Sequence, residues 1–169
     1  MNESLNELRV LIRGAGEMAT GVAHRLARSH FRLVLTELET PLAIRRETSF
    51  CEAVYRGEKE VEGVAAKLVS SLEEIEPLWE TGQVPLIIDA ENRIRKTFRP
   101  DVLVDAIMAK TNRGTAMGDA PLVITLGPGF TVGEDAHMVV ETNRGHDLGR
   151  LIFSGGAEPD TGTPAPRMG

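Results

Sequence analysis

A single cysteine, Cys51, leaves the chain unable to form an internal disulfide, the usage expected of a protein kept in a reducing compartment. Positive charge is in deficit: 19 Lys and Arg against 25 Asp and Glu give a net charge of −6. Broad binding to a nucleic-acid backbone needs the opposite balance, and an anionic lipid surface is disfavoured on the same ground. No apolar run approaches the ~20 residues that a membrane span requires. The opening MNESLNEL has no basic stretch followed by an apolar one, so no signal peptide is expected. These absences together point to a cytoplasmic protein that neither enters a membrane nor coats nucleic acid. Aromatic residues are also scarce, at 4%. The core must therefore be packed from Leu, Val, Ile and Ala, which suits a sheet with helices laid on both faces.

What is present fits one domain with one core: 169 residues, 41% hydrophobic and 26% charged. Leu8 to Ile12 is a short, β-branched, apolar run that reads as a buried strand. From Ala15 the period changes. Ala15, Met18, Ala19, Val22, Ala23, Leu26 and Ala27 recur at helical spacing, opposite Glu17, Thr20, His24, Arg25 and Arg28. Leu33-Val34-Leu35 is the next strand and ends at Thr36-Glu37, completing the opening of a βαβ unit.

Thr40-Pro41 reads as an N-cap and first-turn proline for a short helix over Leu42 to Glu47. Phe50 to Tyr55 and Val64 to Val69 read as strands around the charged stretch RGEKEVEG, joined as a hairpin or as a crossover. Ser71 and Glu74 form a capping box for a helix to about Trp79 that Gly82 ends, with Pro77 as a kink point. Further strands are expected at Leu86-Ile87-Ile88, Val102 to Ala109, Leu122 to Leu126, Met138-Val139-Val140 and Leu151-Ile152-Phe153. The fold class is α/β, a Rossmann-like, mostly parallel sheet with helices on both faces, over residues 1–153. Residues 154–169, SGGAEPDTGTPAPRMG, have a linker's composition and suggest the N-terminal portion of a longer protein.

The segment Gly14-Ala15-Gly16-Glu17-Met18-Ala19 matches G-x-G-x-x-A between a strand and a helix. The first glycine permits the tight turn, the second lets backbone approach a pyrophosphate, and Ala19 permits close helix–sheet packing. The helix N-terminus supplies unpaired N–H groups and partial positive charge. Glu37 stands 23 residues after Gly14, where an acid can accept hydrogen bonds from a ribose diol. The cofactor expected here is NAD or NADP: the acid at Glu37 favours NAD, while Arg45 and Arg46 can host a 2′-phosphate or be plain solvated charges. Glu17 would repel a phosphate unless it points outward.

In such a sheet, ligands sit beyond the C-terminal ends of strands. That rule makes Asp89, Lys110, Asn112, Gly127, Gly129 and Thr131 candidate ligand contacts, the glycines as an anion nest or simply as turns. Lys110 and His137 are the general acid or base candidates should the chain transfer hydride. No metal site is expected, because no ligand spacing such as H-x-x-x-H or C-x-x-C is present. No G-x-S-x-G elbow supports a hydrolase, and Cys51 reads as a small core residue.

The segments GAGEMATGVAHRLARSHFRLVLTELETPLAIRRETSFCEAVYRGEKEVEGV, LVDAIMAKTN, TLGPGFTVGEDAHMVVETNRGHDLGRLI and GGAEPDTGTP resemble the selenium-dependent molybdenum-hydroxylase maturation (YqeB-like) family, related to the xanthine dehydrogenase accessory proteins. The likeness covers nearly the whole chain from Arg9. It implies a nucleotide-binding accessory protein that acts in insertion or modification of the molybdenum cofactor, with a molybdenum hydroxylase as partner. A molybdopterin nucleotide then becomes an alternative ligand to NAD(P). An NAD(P)-dependent oxidoreductase, a non-catalytic nucleotide-sensing scaffold and a homo-oligomer also stay open, and no catalytic residue is carried over.

Overall fold

The computed structural model describes residues 5–159; the start of the chain and most of the linker-like stretch after residue 153 lie outside them. The elements are β1 (Arg9–Arg13), α1 (Glu17–Arg28), β2 (Arg32–Glu37), α2 (Ala53–Arg56), β3 (Glu58–Val61), β4 (Val64–Leu68), α3 (Ile75–Glu80), β5 (Val84–Ile88), α4 (Arg95–Phe98), β6 (Val102–Asp105), β7 (Leu122–Leu126), β8 (Met138–Val140) and β9 (Leu151–Ile152). They form a sheet in the order β3-β4-β5-β2-β1-β6-β7-β8-β9. The strands from β4 to β8 run parallel, and β3 and β9 are antiparallel additions at the two edges.

Alternation along the strands sends apolar side chains to both faces. Val10, Ile12, Leu33 and Leu35 pack with Ala15, Ala19, Ala23, Phe50, Cys51 and Ala53 on the α1 and α2 side. Leu11, Val34, Leu103 and Val123 pack with Ile75, Ile94 and Phe98 on the α3 and α4 side. The alanine stripe explains why α1 lies close: its buried residues include Ala19 and Ala23, both fully covered. The fold is thus the α/β class with helices on both faces. Among the described residues, the connections from β6 to β7 and from β7 to β8 contain no α-helix, only a 3-10 turn at Met117–Asp119.

Three local expectations need correction. Leu42 to Glu47 is not a helix; a 3-10 turn at Arg46–Thr48 stands near its end, and Leu42 and Ile44 are exposed. Phe50 to Tyr55 is not a strand but a 3-10 turn (Phe50–Glu52) running into α2. Its backbone is claimed by the α1 region: the Phe50 N–H donates to Thr20 Oγ1 at 2.9 Å and the Cys51 N–H to the Ala15 carbonyl at 2.8 Å. The strand before β4 lies instead within the charged stretch, as β3, so the hairpin alternative holds with different residues. Glu62 (φ +47°) and Gly63 (φ +79°) make its turn, the mirror-image type that fits a twisted hairpin. Finally, β6 stops at Asp105 rather than Ala109, because the Asp105 carboxylate accepts the Ile107 N–H at 3.1 Å and bends the chain out of the sheet. The Ser71–Glu74 capping box forms as expected, with Pro77 in the first turn of α3, where its missing N–H leaves no bond broken.

Candidate functional site

The sheet order reverses at β1. The chain leaves β1 through α1 to pair β2 on one side, and returns much later to pair β6 on the other. Ligands of open α/β sheets bind outside the carboxyl ends of strands at such a point, and the glycine turn stands there.

Gly14 has φ +97°, and a Cβ there would lie 3.1 Å from the Ala106 carbonyl oxygen and 3.2 Å from Ile107 Cα. Its role is therefore twofold: a backbone conformation that L residues avoid, and close passage of the segment that follows β6. Its N–H extends the β2 ladder to the Thr36 carbonyl at 2.8 Å. Gly16 is the N-cap of α1 with φ −71°, and its nearest would-be neighbour is Ala43 Cβ at 3.6 Å. Ala15 and Ala19 are fully buried, while Glu17 and Met18 are exposed. The N–H groups of Gly16, Glu17 and Met18 have no hydrogen-bond partner among the described residues, as the first turn of a helix leaves them.

Glu37 stands against this turn. Its Oε2 accepts the Ala15 N–H at 2.9 Å and its Oε1 accepts the Leu38 N–H at 2.7 Å. The carboxylate thus ties the glycine turn to the end of β2 and occupies one of the turn's amides. Glu17 Oε1 accepts the Arg45 N–H at 3.2 Å. Arg46 is engaged elsewhere, over the Tyr55 ring at 4.9 Å and 3.8 Å from Glu52. The Arg45 guanidinium has no partner among the described residues.

One strand beyond Glu37 the Asp89 N–H donates to the Glu37 carbonyl at 3.0 Å. Asp89 lines a cleft of about 590 Å³ at the carboxyl ends of β4 and β5, together with Ile87, Ile88, Leu72, Ile94 and Thr97. Turn, carboxylate and cleft therefore follow one another across β1, β2 and β5. A smaller cavity, about 370 Å³, lies at the amino ends of β2 and β5 beside Trp79. There the indole N–H donates to the Leu33 carbonyl at 2.7 Å and Arg32 stacks on the ring.

On the other side of β1 the remaining candidates are bound up in loop structure. Asn112 donates to the Thr115 carbonyl (2.8 Å) and to Asp135 (2.9 Å), and accepts the N–H groups of Gly114 and Thr115. The Thr131 N–H goes to Asp135 at 2.8 Å. The Gly127 N–H goes to the Val140 carbonyl at 2.9 Å. A Cβ on Gly127 would meet Thr142 Oγ1 at 2.8 Å, and one on Gly129 would meet the Lys110 carbonyl oxygen at 2.9 Å. At these two glycines neighbouring loops pack too closely to admit a side chain. His137 is remote: its Nδ1 accepts the N–H of Val123, in the amino-terminal half of β7. Cys51 is buried, and burial, with Glu37 and Glu52 nearby, pushes its thiol up to about 11.

Sequence reasoning missed a buried network beneath the turn. Arg13, the last residue of β1, pairs with Asp105 at 3.4 Å, the last residue of β6, and donates to Thr115 and to the Arg113 carbonyl. Thr115 in turn donates to Asp105 at 2.6 Å. The available signal was opposite charges closing two apolar strands. No group of acids, histidines or cysteines that could hold a metal occurs among the described residues, nor is any helix among them long and apolar enough to cross a membrane.

The chain is similar to the uncharacterized protein YqeB of Escherichia coli (strain K12), with 48% identity over 160 residues. Those residues are 95% of this chain and 30% of that protein, so the chain spans about a third of the length of the curated relative it matches. No family model and no solved structure matches.

Proposed function

We propose that the chain binds a nucleotide along this rim, with linked phosphates on the glycine turn, a ribose beside Glu37 and the base in the cleft at Asp89. It does so as a cytoplasmic accessory protein in maturation, or molybdenum-cofactor insertion, of a selenium-dependent molybdenum hydroxylase. The observation that carries the nucleotide reading is the set of unpartnered N–H groups at Gly16, Glu17 and Met18. They cap a 12-residue helix at the switch point of the sheet, where backbone amides and the helix dipole favour a phosphate. Glu37 keeps lone pairs for a ribose diol, which favours NAD; the unpaired Arg45 guanidinium keeps NADP as an alternative, and a molybdopterin nucleotide shares the same phosphates. The accessory role rests on the resemblance of the long segments quoted above. An NAD(P)-dependent oxidoreductase is less favoured, because one of its two acid or base candidates, His137, lies on the far half of β7 from the turn. A net charge of −6 speaks against nucleic acid as the partner.

The test is Gly16→Asp. Aspartate is a strong N-cap and no backbone lies in its way, so the fold should melt at or slightly above the wild-type temperature. Its carboxylate would stand where a phosphate must approach. Calorimetric titration with NAD, NADP and ADP should show binding to the wild type and loss in the variant. Equal affinities would remove the site. For the cellular role, a strain lacking the protein should recover hydroxylase activity with the wild-type gene and not with Gly16→Asp.

A further inference from the structure

We infer that the cleft beyond Glu37 selects a nucleotide whose base carries an exocyclic amino group, and that Asp89 is the residue that reads it. The inference rests on the nucleotide reading above and adds a ligand class to it. The cleft's walls are apolar, from Leu72, Ile87, Ile88 and Ile94, as suits the faces of a flat ring. Its polar side chains are mostly committed. The Ser70 hydroxyl donates to Glu74 at 2.9 Å, Ser71 belongs to the capping box, and the Thr97 hydroxyl donates to the Ile94 carbonyl at 3.1 Å. The cation that lines it, Arg93, is held by Glu91 at 2.6 Å.

Asp89 is different. Its Oδ2 accepts the Ile94 N–H at 2.8 Å, fixing the side chain, and its Oδ1 has no partner among the described residues. The cleft therefore offers an oriented, negatively charged acceptor with one oxygen still to be satisfied. A base must meet it with N–H. Adenine and cytosine do so through their amino groups. Hypoxanthine and uracil place a carbonyl oxygen at the corresponding position and keep only the neighbouring ring N–H, so in the same pose an acceptor faces the carboxylate and the ring must shift to present its donor.

The experiment is calorimetric titration of the 169-residue chain with ADP, IDP, CDP and UDP, for the wild type and for Asp89→Asn. Asparagine keeps an oxygen for the Ile94 N–H and places an NH₂ donor where Oδ1 was. The wild type should prefer ADP to IDP, and CDP to UDP, by about tenfold, the scale of one hydrogen bond to a charged group. Asp89→Asn should abolish or invert both ratios while its melting temperature stays near the wild type's. ADP and IDP binding equally to the wild type would overturn the inference and leave nucleotide binding intact. A preference unchanged in Asp89→Asn would overturn the role of Asp89. If none of the four diphosphates binds, the nucleotide reading itself fails, and this inference falls with it.

Discussion

Replacing Gly14 by alanine should cost far more stability than the same change two residues later, and the sizes can be worked from the backbone. At φ +97° an L residue is held outside its ordinary regions, which costs about 1–3 kcal/mol. The new Cβ would also press on the Ala106 carbonyl at 3.1 Å and Ile107 Cα at 3.2 Å. Both are backbone atoms, held by the Ala106 N–H to the Arg13 carbonyl and the Ile107 N–H to Asp105, so relief requires moving chain rather than a side chain. Overpacking of that kind costs a further ~1–3 kcal/mol. Taking about 4 kcal/mol in all, and roughly 2–4 °C per kcal/mol for a domain of this length, Gly14→Ala should lower Tm by about 8–16 °C. Gly16→Ala meets Ala43 Cβ at an ordinary 3.6 Å and keeps φ −71°; it forfeits N-cap preference alone, below about 1 kcal/mol. Urea denaturation of both variants, followed by circular dichroism, measures the difference, with the m value expected to stay constant. If Gly14→Ala unfolds at the same urea concentration as Gly16→Ala, the close passage between the turn and the segment after β6 is not what fixes this glycine.

The buried Glu141 carboxylate supplies a second test. Burial raises its pKa, but the N–H groups of Glu158, Asn143 and Thr142, with Arg150 nearby, outweigh that and hold it below the usual 4.5. A folded-state value below the unfolded one gives stability that is fully present above about pH 4.5 and fades as pH falls through the depressed value. Glu141→Gln should therefore lose about 1–2 kcal/mol at pH 7, with the gap to wild type narrowing in urea melts at pH 3; a pH-independent gap would refute the assignment. Cys51, raised to about 11 by burial and the neighbouring carboxylates, should resist thiol reagents at pH 8 in the folded protein and react in urea. Because its neutral form is favoured, its contribution is present below the ordinary value of 9.0 and is lost as pH climbs above it. Rapid native labelling would place the side chain at the surface instead.

Much of the site could be read from local pattern because its cause is local. A β-branched run, a glycine turn and an alanine stripe at helical spacing determine β1, the turn and α1 within twenty residues, and Glu37 closes the next strand. The capping box at Ser71 and Glu74 is likewise a short-range device. What was misread depends on partners far along the chain. Phe50 and Cys51 look like strand residues, but Thr20 and Ala15, about thirty residues earlier, take their N–H groups. β3 was hidden because an edge strand is protected by charge, and Glu58, Lys59 and Glu60 have a loop's composition for that reason. The bond from Asn112 to Asp135 is likewise illegible locally, since the two stand 23 residues apart. The cleft at Asp89 needs β4 and β5 to lie side by side, and no single window of sequence contains both.

The bond from the Ala15 amide to the Glu37 carboxylate has a kinetic consequence. A glycine-rich segment left to itself samples many shapes, and an incoming anion would have to wait for, or induce, the right one. Here that freedom is already surrendered when the chain folds. Binding of the proposed nucleotide should consequently proceed as a single encounter-limited phase in stopped-flow traces, its rate rising linearly with nucleotide concentration and showing no plateau from a slow rearrangement.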